Sequence, residues 1–191
     1  MTTDTSEKGL ESLIMRHMTG TGGLAAQPNT VAERPPPYGG TGYFAGSQKD
    51  YDRSQALDVP QLFAFLRATQ PDALKKLALA HANDARDINR LKLLARLSGE
   101  ISKRGVIDVI RKGLEHGPLH FDLFYGTPSP GNAKATALHV QNRFSITRQF
   151  AYSMDETRRA LDLGLFINGL PIATFELKNS LTKQKIGRAH V

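Results

Sequence analysis

Asn168-Gly169 stands between two apolar runs, Ala160-Leu-Asp-Leu-Gly-Leu-Phe-Ile167 and Pro171-Ile-Ala-Thr-Phe-Glu-Leu177. Both turn residues tolerate positive φ, which a tight turn between antiparallel strands requires. The pair is therefore a strong local signal for a β-hairpin. A third run, Arg143-Phe-Ser-Ile-Thr-Arg-Gln-Phe-Ala-Tyr152, alternates as a strand does. Leu119 to Phe124 is a shorter apolar run, closed by the turn composition of Thr127 to Asn132. From about residue 119 to 179 the chain is expected to form a small, mostly antiparallel sheet.

Period-two geometry sorts the hairpin residues by face. Leu161, Leu163, Leu165 and Ile167 share one face of the first strand, and Asp162 lies opposite them with Gly164 and Phe166. In the second strand Glu176 and Lys178 share a face and Leu177 points away. A clean two-residue turn pairs Ile167 with Leu170, and Asp162 and Glu176 then face opposite sides. A three-residue loop of 167–169, or a bulge, brings them to one side. With the three-residue loop Asp162 opposes Thr174, and Glu176 is its diagonal neighbour. One of these irregularities is required if the two acids are to act together.

The front of the chain is helical. Leu10, Leu13, Ile14 and His17 recur at helical spacing over 5–18, with Thr5 or Ser6 as the cap and glycines from Gly20 ending the run. Residues 19–46 are rich in Gly, Pro and Thr and read as a loop. No Lys-Ser or Lys-Thr follows their glycines, as a phosphate cradle needs. Residues 58–113 form a helical block with Leu62, Phe63, Phe65 and Leu66 on one face and a helix start at Pro71. Further amphipathic pieces carry Ile88, Leu91, Leu94 and Ala95, then Ile101, Val106, Ile107 and Ile110. The ten basic residues from Lys75 to Lys112 are either a solvated face or a surface for a nucleic-acid backbone. The fold class is α/β: a first helix, a helical insertion at about 58–113, and a mostly antiparallel central sheet.

Composition narrows the chemistry. The chain has no cysteine, which excludes disulfides and thiolate metal sites. Its net charge of +7 suits a polyanionic partner. No run of about 18 apolar residues spans a membrane, and the N-terminus lacks the layout of a secretory signal. A cytoplasmic protein without a membrane partner is expected.

Asp162, Glu176 and Lys178 carry the informative chemistry. Two carboxylates at close quarters repel unless a cation sits between them. Mg²⁺ takes hard oxygen ligands, often one or two carboxylates completed by water and substrate phosphate. A nearby lysine positions the attacking water and stabilises negative charge. That set is the equipment of a phosphodiester hydrolase. On spacing alone, a solvated hairpin face with a Glu–Lys pair is the simpler reading.

The surrounding residues go further. An Asp on one strand and Glu-x-Lys on the next resembles the PD-(D/E)xK nuclease superfamily. The stretch from Arg159 to Asn179, with its Asn168-Gly-Leu-Pro171 turn, apolar strand and Glu176-Leu-Lys-Asn179, resembles the nuclease core of type I restriction enzyme R subunits. Asn142 to Gln149 is similar to the preceding strand of that family, and Ser6 to Glu11, Gly42-Tyr43 and Asp50-Tyr51-Asp52 extend the likeness over most of 5–184. The resemblance implies that Asp162 and Glu176 hold Mg²⁺ and that Lys178 is the catalytic lysine. Glu7 or Glu11 on the first helix is a further acid that could approach the site or stand at its rim. By the same resemblance, the whole protein cleaves double-stranded DNA after ATP-driven translocation. ATP is bound only in a motor region beyond this chain, and the partners are modification and specificity subunits.

Other constellations carry less. His116 and His120 flank Gly117-Pro118 and read as surface histidines on a turn. No Gly-x-Ser-x-Gly elbow is present. Asp50 and Asp52 read as a surface acidic turn. In the family, a helix with Gln-x-x-x-Tyr follows the Glu-x-Lys strand. Here Arg188, not Tyr, stands four places after Gln184, and the chain closes on Ile186-Gly-Arg-Ala-His-Val191, which ATC GGA AGA GCA CAC GTC encodes and which reads like a common sequencing adaptor. Residues 1–185 are thus expected to be an incomplete N-terminal endonuclease domain and 186–191 a non-native tail. Little or no activity is expected of the isolated fragment. The alternatives are a stand-alone Mg²⁺ nuclease and a non-catalytic DNA-binding or docking module.

Overall fold

The computed structural model describes residues 6–20, 42–79, 84–151 and 160–178. The tail expected at 186–191 and most of the loop expected at 19–46 lie outside them. Six helices occur among these residues: α1 (Glu7–Thr19), α2 (Val59–Thr69), α3 (Pro71–Lys76), α4 (Ile88–Arg104), α5 (Val106–Lys112) and α6 (Ala133–His139). The strands are β1 (Phe44–Ala45), β2 (Tyr51–Asp52), β3 (Leu57–Asp58), β4 (Leu114–His116), β5 (Leu119–Phe121), β6 (Phe144–Ala151), β7 (Ala160–Ile167) and β8 (Leu170–Phe175). The fold is α/β, as expected. Its main sheet has the order β1-β6-β7-β8, with β1 parallel to β6 and the other pairs antiparallel.

The helix boundaries follow their caps. Ser6 Oγ accepts from the Gly9 N–H at the start of α1, and Gly20 ends it at φ 69°. Pro71 opens α3. The faces differ from the sequence reading in three places, one of them α5, where Ile107 is exposed and Val109 and Ile110 are buried. In α1, Leu10 and Leu13 are exposed while Glu11, Met15 and Thr19 are buried. In α4, Ile88 and Leu91 are exposed and the buried stripe is Leu93, Leu94 and Leu97. In α1 the reason is polar: the face turned inward carries Glu11 to its partners on β6.

Two cores result. The larger one lies within the helical block and reaches the hairpin through Leu170 and Ile172. The smaller one, Met15, Ile146 and Leu163, fastens α1 to the sheet. Burial of this apolar area, at roughly 25 cal/mol per Å², is what holds a first helix and a distant hairpin in one place.

The hairpin turn is an interior feature. Asn168 (φ 51°) and Gly169 (φ 81°) both have positive φ, as a type I′ turn demands. Asn168 is fully buried. Its Oδ1 accepts from the Arg143 N–H at 2.6 Å, and its Nδ2 donates to Leu123 O at 2.8 Å and Asn142 Oδ1 at 3.0 Å. A Cβ on Gly169 would come within 2.4 Å of Asp58 O.

Candidate active site

The turn is the two-residue one, with Ile167 paired to Leu170, so the three-residue loop does not form. The required irregularity comes instead as a bulge: Phe166 pairs with Pro171, but Leu165 pairs with Ala173, which leaves Ile172 as the extra residue. Beyond it Gly164 pairs with Thr174 and Leu163 with Phe175. Thr174 is therefore not opposite Asp162. Continuing the register puts Glu176 level with Asp162, and the Leu177 N–H donates to Asp162 Oδ2 at 2.5 Å.

The first helix supplies a further acid. Glu11 is only 3% exposed and is ion-paired to the Arg148 guanidinium. Its Oε2 also accepts from Gln149 Nε2 at 2.9 Å. Consecutive strand residues normally face opposite sides. The positive φ of Gln149, 48°, breaks the alternation, so Arg148 and Gln149 both reach Glu11. Gln149 Nε2 also donates to Asp162 Oδ1 at 3.3 Å, linking Glu11 to Asp162 through one amide. A cavity of about 400 Å³ is lined by Glu7, Lys8, Glu11, Arg148, Gln149 and Asp162.

Glu176 and Lys178 do not line this cavity; their link to it is the charge of Glu7 and Asp162 acting on Lys178. Lys178 Nζ donates to Glu176 Oε1 at 2.5 Å, and both side chains are about half exposed or more. The hydrogen bond to Glu176 raises the Lys178 pKa, with smaller contributions from the charges of Glu176, Glu7 and Asp162. Of the sequence-predicted residues, then, Asp162 is joined to Glu11 by Gln149, and Glu176 is joined to Lys178. Glu7 lines the cavity wall. Among the described residues no group of three or more His, Asp or Glu side chains is arranged to hold a metal ion. The donor chemistry nevertheless fits a hard cation: each Asp162 oxygen accepts one hydrogen bond and keeps a lone pair, and Glu176 is open to solvent. One or two carboxylates with water and phosphate are a usual Mg²⁺ shell.

The remaining candidates are structural. Asp52 Oδ1 accepts from Ser54 N–H and Gln55 N–H within the β2–β3 turn. His120 is on β5 and bonds Glu115, across from it on β4, at 2.7 Å. Arg148 and Gln149 were missed as site residues because strand periodicity gives no sign of a left-handed residue at Gln149.

The fold and site define an α/β domain with an acid-lined cavity between its first helix and the central hairpin. The chain matches the family of type I restriction enzyme R protein N termini over residues 83–190, more than half its length, and belongs to that family. The matched span includes Asp162, Glu176 and Lys178 and begins after α1. No curated protein and no solved structure gives a significant match. No helix among the described residues is long and apolar enough to cross a membrane.

Proposed function

We propose that this chain carries the DNA-cutting site of a type I restriction enzyme R subunit, hydrolysing phosphodiesters of double-stranded DNA with Mg²⁺. The bulge at Ile172 carries the reading, because it puts Asp162 level with Glu176, whose neighbour Lys178 is bonded to it. Asp162 and Glu176 would hold the metal. When bound, the ion lowers the pKa of a water and offsets charge on the phosphodiester. Lys178 carries an ammonium group that feels the charges of Glu7 and Asp162, and in the proposed reaction it would orient a water or stabilise the anionic phosphate. Gln149 and the Leu177 N–H fix the two oxygens of Asp162. Arg148 neutralises Glu11 behind them. A preorganised arrangement of this kind costs little reorganisation during reaction.

The wider context follows from the family. In the whole protein, cleavage would be coupled to ATP-driven translocation by a motor outside this chain, in a cytoplasmic complex whose specificity subunit reads the target. The 1–185 region would be its N-terminal endonuclease domain. The test is Asp162→Asn, Glu176→Gln and Lys178→Ala, each in the full-length assembled enzyme. Each should lower DNA cleavage by about a hundredfold or more and leave ATP hydrolysis and translocation unchanged. Intact cleavage with Lys178→Ala would favour a docking or DNA-binding module that lacks catalysis.

A further inference from the structure

A second cavity, of about 380 Å³, adjoins the first and shares Arg148 and Gln149 with it. Its remaining walls are Met15 and the loop Gly46-Ser47-Gln48-Lys49. The two cavities differ in their balance of charge. The first sets three carboxylates, Glu7, Glu11 and Asp162, against Lys8 and Arg148, whereas the second has Lys49 and Arg148 and no carboxylate. Arg148 is already committed to Glu11. Lys49 is exposed and has no ion-pair partner among the described residues. It is thus the cation of the second cavity that remains available.

The loop that carries Lys49 is fixed to the same strand as the site. The Gly46 N–H donates to Ile146 O at 2.8 Å, and a Cβ at Gly46 would come within 2.1 Å of Thr147 Oγ1. Asp50 N–H closes the turn on Ser47 O at 3.1 Å. The backbone that carries Lys49 is therefore held to β6, the strand whose Gln149 bonds Asp162. A polyanion crossing both cavities meets carboxylates at one end, where it needs a metal ion, and an unpaired ammonium with amide and hydroxyl groups at the other.

We propose that the second cavity is a phosphate subsite, in which Lys49 holds a DNA backbone phosphate neighbouring the one presented to Asp162. This rests on the function proposed above and adds a binding residue to it. Such a contact is blind to sequence and is read by the salt dependence of binding.

The experiment measures binding of a short labelled DNA duplex to the purified chain by fluorescence anisotropy, with Ca²⁺ replacing Mg²⁺, across a salt series. Lys49→Ala should reduce the slope of log K against log salt by about 0.9, the release expected for one phosphate contact. Affinity should fall similarly on duplexes of unrelated sequence. Lys49→Arg should keep the wild-type slope. Gln48→Lys, which adds a cation to the same wall, should steepen it by about 0.9. Asp162→Asn should remove the Ca²⁺-dependent part of binding. Unchanged slopes in both the Lys49→Ala and Gln48→Lys chains, with Ca²⁺-dependent binding still lost in Asp162→Asn, would overturn the subsite alone. Failure of the wild-type chain to bind duplex would overturn the subsite and the proposed function together.

Discussion

Asp58 is a carboxyl group buried beneath the hairpin that positions the site, and its titration should be visible in stability. It is 2% exposed and caps α2, with Oδ1 accepting from the Gln61 N–H at 3.3 Å. Its own N–H donates to Gly169 O at 2.9 Å, so it sits directly under the turn. Burial pushes its pKa from 3.8 to about 6; the charge of Asp50 adds to this, and the Gln61 N–H and Arg143 oppose it. An acid raised on folding binds more protons in the folded than in the unfolded chain between those two values. The contribution of Asp58 to stability must therefore fall as pH rises from about 4 to about 6 and then level off. The displacement corresponds to roughly 3 kcal/mol. Asn caps a helix about as well as Asp but does not ionise. Asp58→Asn should match wild type near pH 4 and exceed it by up to about 3 kcal/mol above pH 7. Urea unfolding followed by circular dichroism at intervals across that range measures the difference, and other carboxylates cancel between the two proteins. A wild-type-minus-variant difference that stays flat with pH would refute the assignment of a buried, destabilising charge to Asp58.

Three further outcomes follow from the hairpin. Gly169→Ala places a Cβ within 2.4 Å of Asp58 O at a φ of 81°, and should cost several kcal/mol or abolish folding, as read by thermal unfolding. Asn168→Ala leaves the Arg143 N–H, Leu123 O and Asn142 Oδ1 without their buried partner, and should lower stability by about 3 kcal/mol or more in urea. Deleting Ile172 removes the bulge residue and turns Glu176 and Lys178 to the other face. In the full-length enzyme the deletion should stop cleavage as completely as Glu176→Ala, whereas Ile172→Ala, which keeps the register, should retain it.

Much of the fold was legible because its signals are local. The cap at Ser6, the start at Pro71 and the three long strands follow from residue types and period. Elements that depend on distant partners were not. β1 has two residues and exists because Phe44 and Ala45 pair with Ser145 and Ile146, far along the chain. α6 buries no residue, so it has no amphipathic pattern to read, and only the Asn132 cap marks it. The exposed leucines of α1 mislead for a related reason. A helix usually turns its apolar stripe inward, but here Glu11 gains two charged or polar partners on β6 that a leucine could not use.

The site illustrates how far period-two reasoning reaches. Parity alone requires an extra residue between Asp162 and Glu176 if they are to share a face, but a longer loop and a bulge satisfy parity equally. Tertiary contacts decide between them. The turn is pinned at two residues because the Asn168 side chain is spent on three buried hydrogen bonds and Gly169 packs against Asp58. The extra residue must therefore be taken up further along. β8 is at the edge of the described sheet, so a bulge at Ile172 breaks pairing on one side only, and Pro171 beside it has no N–H to leave unpaired. Ile172 still packs against the larger core, which anchors the bulge in place. The alignment of Asp162 with Glu176 is thus set at some distance from both acids, by the packing of a turn whose own residues have no chemistry to perform.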